Sequence, residues 1–283
     1  MKYTKNQSIL IIAIIYAGAL MVTYLVMQFL NTSLLLKTLL GDIFCTSIIF
    51  IFSRIFKNSS VYDPYWSVIP FFLALFWIQN STSHSTTIYW LLAGLLLWGI
   101  RLTFNWISGW KGLHVQDWRY RQLQDKTGKY YWLVSFLGIH MFPTLIVFLG
   151  CLPTYFLITK PTPATSWQYI SFIVILIAII IEMIADIQMH NHRKKNNGKL
   201  IKTGLWLYLR HPNYLGEILF WMGLFLLSFA SAPLWTIVGP AGMIFLFYFI
   251  SIPMMEKRLK EREGYSEYHK EVSRLLPWHR SKN

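Results

Sequence analysis

Residues 169–189 read YISFIVILIAIIIEMIADIQM, a continuous apolar run in which only Glu182 and Asp186 carry charge. A helix that crosses a bilayer needs about 20 mainly apolar residues, so this run is long enough to do so. It is not isolated, because 55% of the 283 residues are hydrophobic and 17% are aromatic. This composition excludes an ordinary soluble domain and predicts an all-α integral membrane protein.

Similar apolar runs recur along the chain and predict a bundle of about eight transmembrane helices. The third and seventh runs are short, so seven or nine spans are also compatible with the sequence. After Met255, apolar residues placed among Lys, Arg and Glu predict a cytoplasmic amphipathic helix that Pro277 closes. The eight predicted spans are 8–29, 36–56, 67–79, 88–108, 131–152, 169–189, 214–229 and 234–253.

The placement of positive charge predicts the topology. If both termini face the cytoplasm, the inside segments hold 23 of the 26 Lys and Arg residues. Only Lys37 and Lys160 fall outside, and Arg101 lies within the fourth span. Cytoplasmic loops are enriched in Lys and Arg, so the sequence predicts a multi-pass protein with both termini in the cytoplasm. The inside segments are 1–7, 54–66, 109–130, 190–213 and 254–283.

The formal net charge of +14 is therefore first a topology signal. The basic tract 192–195 lies beside a span, so lipid headgroups or a phosphorylated cofactor are the expected partners and nucleic acid is not. Cys45 and Cys151 lie within spans and predict neither a disulfide nor a metal site. Because the loops are short, we expect one integral-membrane domain over residues 1–283. The oligomeric state stays open.

The most distinctive polar motif is RHPNYLGE, residues 210–217, which follows the basic loop and opens the seventh span. Pro212 suits the first turn of a helix. Arg210, Asn213, Tyr214 and Glu217 follow helical spacing and share one face. A helix N-terminus beside Arg210 and His211 is a plausible phosphate receptor, because its free N–H groups and partial positive charge attract anions.

A second polar group ends the sixth span. Glu182 and Asp186 are four residues apart and share a helical face, while Arg193 and Lys199 follow in the basic region. Carboxylates near a helix C-terminus oppose the helix dipole, so we expect them to have a partner. Such carboxylates can accept hydrogen bonds from ribose hydroxyls or a carboxamide, and the basic residues can neutralise phosphates.

Candidate acid–base residues lie in the first half of the chain. Tyr62-Asp63-Pro64-Tyr65-Trp66 precedes the third span and is explained either by turn and interfacial chemistry or by a function. In the functional interpretation Asp63 orients a tyrosine, Tyr65 or Tyr62, which donates a proton to a substrate oxygen. Arg101 either snorkels towards the headgroups or has a buried partner.

The octet 210–217 resembles the signature of membrane-embedded steroid and sterol reductases. The wider pattern includes SVYDPYW at 60–66, WGIRL at 98–102, DWRY at 117–120 and GYSEY at 264–268. Over residues 58–280 the chain is similar to the bacterial branch of the steroid 5-alpha-reductase-like superfamily, the group called DUF1295. Residues 1–57 then form additional N-terminal spans.

The resemblance implies a helical bundle in the bacterial inner membrane that binds NADPH, or NADH, from the cytoplasm through residues 169–280. In the reductases, hydride passes to a carbon–carbon double bond conjugated to a carbonyl, and a tyrosine and a carboxyl stabilise the oxygen. Asp186, Arg193, Asn213, Tyr214 and Glu217 match cofactor-holding positions.

The chain also departs from the steroid enzymes. Trp98 stands near the place of their proton-donating tyrosine, so Tyr65 or Tyr62 with Asp63 would have to substitute. Pro253 and Lys257 stand near positions where relatives use an arginine and a histidine.

These features predict an NAD(P)H-dependent membrane reductase that acts on a lipophilic, steroid-like or isoprenoid-like substrate. The same signature resembles isoprenylcysteine and phospholipid methyltransferases, which use S-adenosylmethionine. The six basic residues at 190–213 favour a phosphorylated cofactor instead. A non-enzymatic lipid carrier is the third possibility, although no paired repeat indicates a transporter.

Overall fold

The computed structural model describes residues 3–82, 85–195 and 198–276. Within those ranges every regular element is helical, and the only β-type pairing is an isolated parallel bridge between Leu209 and Ser273. This confirms the predicted all-α fold. The helices are α1 Lys5–Phe29, α2 Leu34–Ile55, α3 Tyr65–Gln79, α4 Thr87–Gly109, α5 Trp118–Thr127, α6 Tyr131–Val134, α7 Phe142–Thr159, α8 Ser166–Lys195, α9 Pro212–Ser228, α10 Val238–Phe245, α11 Ile252–Leu259 and α12 Tyr265–Glu271.

Single turns of other helix types link several of these helices. Short 3₁₀ turns form at Ser59–Val61, Gly128–Tyr130, Gly204–Leu207 and Leu234–Ile237. Two π-helical segments, Ser135–Met141 and Leu246–Ser251, join α6 to α7 and α10 to α11.

Seven helical segments of the described chain are long and apolar enough to cross a membrane, which indicates a multi-pass membrane protein. Seven of the eight predicted spans correspond to these segments. The remaining one, α9, has 17 residues. At about 1.5 Å per residue α9 is roughly 25 Å long, shorter than a hydrocarbon core of about 30 Å.

Local sequence explains where the helices begin and end. The Thr4 hydroxyl accepts a hydrogen bond from the Gln7 N–H and the Gln7 side chain accepts one from the Thr4 N–H, which forms a capping box before α1. Pro212 occupies the first turn of α9, as predicted. Gly264 ends the turn before α12 with φ 72°, a left-handed conformation that glycine adopts without strain.

The chain tail differs from the predicted surface helix. It forms the seven-residue helix α12, and its Tyr265, Tyr268 and Val272 are buried against Leu200 and Leu259. The apolar side of the tail therefore covers protein. Pro277, expected to close the tail, lies outside the described residues.

The chain divides into two compact units. The first comprises Met1–His84 and Trp98–Cys151, and the second comprises Ser85–Leu97 and Leu152–Asn283. In the first unit, α1 and α2 approach closely at Gly41, where an added Cβ would collide with Met27. In the second unit, α8 and α9 form a closely packed pair.

Glycines explain the close packing of α8 on α9. Gly216 and Gly223 lie two turns apart on α9, so they share one helix face. A Cβ on Gly223 would lie 2.6 Å from the Ile175 Cγ1, and one on Gly216 would lie 3.0 Å from the Ala178 carbonyl oxygen. Small residues at such positions let two helix backbones approach each other.

Candidate functional site

The α8–α9 contact brings together the two acidic groups that the sequence singled out. Glu182 is fully buried on α8 and Glu217 is 5% exposed on α9. A side chain at Gly216 would overlap the Cγ of Glu182, so glycine leaves the space that Glu182 occupies. Asp186 lies one turn further along α8 and is half-buried. Glu182 therefore packs directly against the 210–217 motif at Gly216.

Three arginines gather near the end of α8. Arg193 lies within electrostatic range of Arg258 and Arg262, and also of Asp186 and Tyr214. We call Arg193, Arg258 and Arg262 the arginine cluster. Guanidinium groups repel one another, so a cluster of three favours an anion that can neutralise them. Sequence reasoning identified Arg193 but missed the other two, which lie after the last span.

A backbone contact holds one member of the arginine cluster, Arg262. The Arg262 guanidinium donates to the Lys199 carbonyl oxygen at 3.1 Å, and the His192 ring Nε2 lies 3.2 Å from the same oxygen. The backbone carbonyl of Lys199 therefore contributes to the site. Lys199 as a whole is exposed. The neighbouring turn is fixed to α8, because the Leu205 N–H donates to the Gln188 side chain at 2.9 Å.

Arg210 and His211 lie in a different environment from the one predicted. Both are buried, and both contact Glu256 of α11, at 3.1 Å from Arg210 and 3.3 Å from the His211 ring. A second Arg210 nitrogen donates to the His269 carbonyl oxygen at 2.8 Å. The Arg210 and His211 side chains are thus already engaged by protein, whereas Arg193, which lies within electrostatic range of Tyr214, is exposed.

Glu256 is a further residue that sequence reasoning missed. Four cationic or potentially cationic side chains lie close to its two carboxylate oxygens. We call Glu256 and these four residues the Glu256 cluster. A lone acid in a basic stretch, Met-Met-Glu-Lys-Arg at 254–258, was the available signal. The four partners are Arg210 at 3.1 Å, His211 at 3.3 Å, Arg274 at 3.5 Å and His269 at 4.0 Å.

Burial lowers the pKa of His211, although its hydrogen bond to Glu256 acts in the opposite direction. The ring stacks on Tyr214, with centroids 5.5 Å apart and planes 9° apart. Tyr214 in turn contacts Phe247, with centroids 5.1 Å apart. Asn213 is half-buried in the first turn of α9. The first turn of α9 is therefore positioned by an aromatic stack as well as by the Glu256 cluster.

The tail closes over the loop before α9. The Arg210 N–H donates to the Ser273 carbonyl oxygen at 2.9 Å, and the Tyr268 hydroxyl donates to the Trp206 carbonyl oxygen at 2.6 Å. The Glu256 cluster adds an ion pair to Arg274 in the same tail.

The acid–base candidates of the first unit pair differently from the prediction. The Tyr65 hydroxyl donates to Asp42 Oδ1 at 2.7 Å, whereas Asp63 accepts the Tyr120 hydroxyl at 2.6 Å. The carboxyl that orients Tyr65 is therefore Asp42 of α2 and not Asp63. Sequence reasoning left Asp42 unexplained because nothing in the local pattern links α2 to the start of α3.

The remaining catalytic candidates, Tyr62 and Arg101, also lie in the first unit. The Tyr62 hydroxyl lies 2.8 Å from the Thr144 hydroxyl, which lies 2.8 Å from that of Thr46. Arg101 is half-buried on α4 and its Nε atom is shielded from solvent. The 59–65 segment is thus an internal polar element, which excludes the simple interfacial-belt explanation of its tyrosines.

An apolar cavity of about 310 Å³ lies between α1, α2 and α3. Tyr65, Asp42, Thr23 and Cys45 are among its lining residues, and most other lining residues are apolar. Exposed large hydrophobic residues also line it, so the cavity opens at the side of the helices, where a bilayer would lie. These are Met21, Tyr24, Phe72 and Leu75.

Comparison with known proteins gives the family. The family described as "Protein of unknown function (DUF1295)" matches residues 49–272. The chain belongs to the DUF1295 family. This DUF1295 protein is also 27% identical, over 254 residues, to the uncharacterized protein C594.04c of Schizosaccharomyces pombe, covering 78% of this chain and 73% of that protein. No solved structure matches the chain.

Proposed function

We propose that this DUF1295 protein is a membrane-embedded, NADPH-dependent reductase of a conjugated carbon–carbon double bond in a lipophilic substrate. The observation that carries the proposal is the arginine cluster beside Asp186 and Tyr214. Arg193 with two further guanidinium groups in electrostatic range suits a ligand that carries several phosphate charges. S-adenosylmethionine has no phosphate, so this observation favours the reductase over a methyltransferase.

The residues present fit a dinucleotide. Arg193, Arg258 and Arg262 would neutralise its phosphates, and the additional 2′-phosphate of NADPH would favour it over NADH. Asp186 can accept hydrogen bonds from ribose hydroxyls, and Tyr214 lies beside the arginine cluster in the first turn of α9. When bound, the nicotinamide supplies a hydride.

The roles predicted for Arg210 and His211 change in this proposal. Their contacts with Glu256 make them positioning residues, which hold the first turn of α9 and the tail together. Glu182 and Glu217 remain candidates for orienting the cofactor from the buried side of the α8–α9 pair.

The first unit would bind the substrate in its apolar cavity. The hydrogen-bonded pair Tyr65–Asp42 is the candidate acid, because it combines a proton donor with a carboxyl in the cavity lining. Hydride addition at the β-carbon leaves negative charge on the substrate oxygen, and a proton must then be delivered to complete the reduction. The lateral opening would let the substrate enter from the bilayer.

A thermal-shift titration of the detergent-purified full chain tests the cofactor assignment. We expect NADPH to raise the midpoint of unfolding more than NADH does, because a ligand that binds only the folded state stabilises it. The double variant Arg193→Ala, Arg262→Ala should lose the shift, whereas Lys270→Ala, an exposed residue of α12, should keep it. Stabilisation by S-adenosylmethionine alone would instead support a methyltransferase.

A further inference from the structure

The cavity of the first unit is lined by two polar side chains with unused hydrogen-bonding capacity. Asp42 is 4% exposed, and its Oδ1 accepts the Tyr65 hydroxyl. Its other oxygen, Oδ2, is buried and has no hydrogen-bond partner among the described residues. An unsatisfied buried polar atom costs free energy, so its presence on the wall of a cavity points to a ligand.

Thr23 provides a second, independent observation on the same cavity. It is 5% exposed, and its hydroxyl is buried without a hydrogen-bond partner in the described chain. The Cys45 thiol lies beside it but is only a weak hydrogen-bonding group. Thr23 lies on α1 and Asp42 on α2, so two different helices direct polar groups to one apolar cavity.

The depth of Asp42 decides what its free oxygen can offer. Asp42 is eight residues after Leu34, the first residue of α2, which places it about 12 Å along the helix. A charged carboxylate among apolar groups at that depth is costly, whereas the neutral acid is tolerated. Because Oδ1 already accepts from Tyr65, the acid proton belongs on Oδ2.

We infer that the cavity binds the carbonyl oxygen of an apolar lipid between two donors, the Asp42 carboxyl and the Thr23 hydroxyl. Tyr65 then positions the Asp42 carboxyl and does not contact the ligand oxygen, since its hydroxyl already donates a hydrogen bond to Asp42. Two neutral donors aimed at one oxygen would also stabilise negative charge that develops there. The inference rests on the proposed reductase only for this last step, because binding of a carbonyl lipid needs no cofactor.

Binding of an inert ketone to the full chain in detergent, without cofactor, tests the inference. Geranylacetone suits the test because its double bonds are not conjugated with its carbonyl, and the matching hydrocarbon without oxygen is the comparison ligand. Each neutral hydrogen bond changes binding about fivefold. We therefore expect the ketone to bind more than tenfold tighter than the hydrocarbon, and the infrared carbonyl stretch to fall on binding.

Variants identify the donors. Thr23→Val and Asp42→Leu should each weaken ketone binding about fivefold and reduce the infrared shift, while hydrocarbon binding stays unchanged. Asp42→Asn keeps a donor in place and should retain most of the shift. Glu267→Gln, on the exposed side of α12, is the control.

Two results would overturn the inference: equal binding of ketone and hydrocarbon, or an infrared shift removed by Tyr65→Phe and untouched by the Thr23 and Asp42 variants. A ketone that binds as expected, in a protein that NADPH does not stabilise, would instead refute the reductase while the carbonyl site stands. Stabilisation by NADPH with no carbonyl shift would refute only the inference.

Discussion

The Glu256 cluster of the second unit and the Asp42–Tyr65 pair of the first both bury a carboxyl, but they compensate it differently. Glu256 has two arginines and two histidines around it, whereas Asp42 accepts a tyrosine hydroxyl and leaves one oxygen facing a cavity. Removing one charge from a buried ionic cluster strongly destabilises a fold, because its partners are left uncompensated. A neutral acid with a free edge is suited to bind something else. The comparison indicates that the Glu256 carboxyl is structural and that the Asp42 carboxyl is available for a ligand.

The largest expected effect comes from removing the Glu256 carboxylate. Glu256→Leu would leave Arg210 and His211 buried beside Arg274 without an anion. Breaking a buried ion pair in this way costs about 3–5 kcal/mol. Denaturant titration of the detergent-purified protein should show this loss, with Glu267→Leu on the exposed side of α12 as the control. A loss as small as that of the control would contradict the structural role of the cluster.

Replacing each carboxyl by an amide compares the contributions of Glu256 and Asp42 to the free energy of unfolding. Glu256→Gln removes a charge that accepts hydrogen bonds from cations and should cost about 1.5–3 kcal/mol. Asp42→Asn should cost about 1 kcal/mol or less, because the Tyr65 hydroxyl can still donate to the remaining carbonyl oxygen. Unfolding free energies of both variants, measured under the same conditions, test the ranking. Equal losses would mean that Asp42 is also charged in the folded protein.

Substitution within the hydrogen-bonded hydroxyls of Tyr62, Thr144 and Thr46 should change the free energy of unfolding modestly. Thr144 contacts both Tyr62 and Thr46, so Thr144→Val keeps the shape of the side chain and leaves two hydroxyls without this partner. We expect a loss of about 1–2 kcal/mol in the same titration. Ser47→Ala provides a local comparison, since the Ser47 hydroxyl only donates to the Ile43 carbonyl oxygen of its own helix. An unchanged free energy of unfolding in Thr144→Val would show that the Tyr62 and Thr46 hydroxyls find other hydrogen-bond partners.

The smallest effect is a pH dependence of the Glu256 cluster. Burial lowers the pKa of His211 below its ordinary value of about 6.5, so below that pH the unfolded chain binds more protons than the folded one. The contribution of His211 to stability is therefore complete above about pH 6.5 and declines as the pH falls through the lower folded pKa. Melting temperatures of the wild type and of His211→Gln, compared between pH 7.5 and 5.5, should show a shallower slope for the variant.

The sequence predicts the helices well because spans are set by local composition. Spacing along one helix also identifies the acidic residues of α8 and the 210–217 motif, because residues three, four or seven apart share a helix face. Sequence-based prediction fails where the two interacting residues are far apart in the chain. Asp42 is paired with Tyr65 and Glu256 with Arg210, and no local pattern predicts either contact.

The Arg210–His211 prediction illustrates this limit. A basic pair before a helix N-terminus is an equally good signal for an external phosphate and for an internal carboxylate. Only the position of Glu256, which depends on how α11 and the tail return to the start of α9, distinguishes the two. The arginine cluster was partly missed for the same reason, because Arg258 and Arg262 reach Arg193 from the far end of the chain.

The pairing of Leu209 and Arg210 with Ser273 has a consequence for biosynthesis. The loop before α9 leaves the ribosome well before the tail that covers it, and all seven candidate spans precede Ser273 in the chain. Membrane insertion can therefore be complete while the closure of the tail over this loop is still missing. A ribosome that stops at the Gly264 turn would release a chain with every span in place and the start of α9 still uncovered.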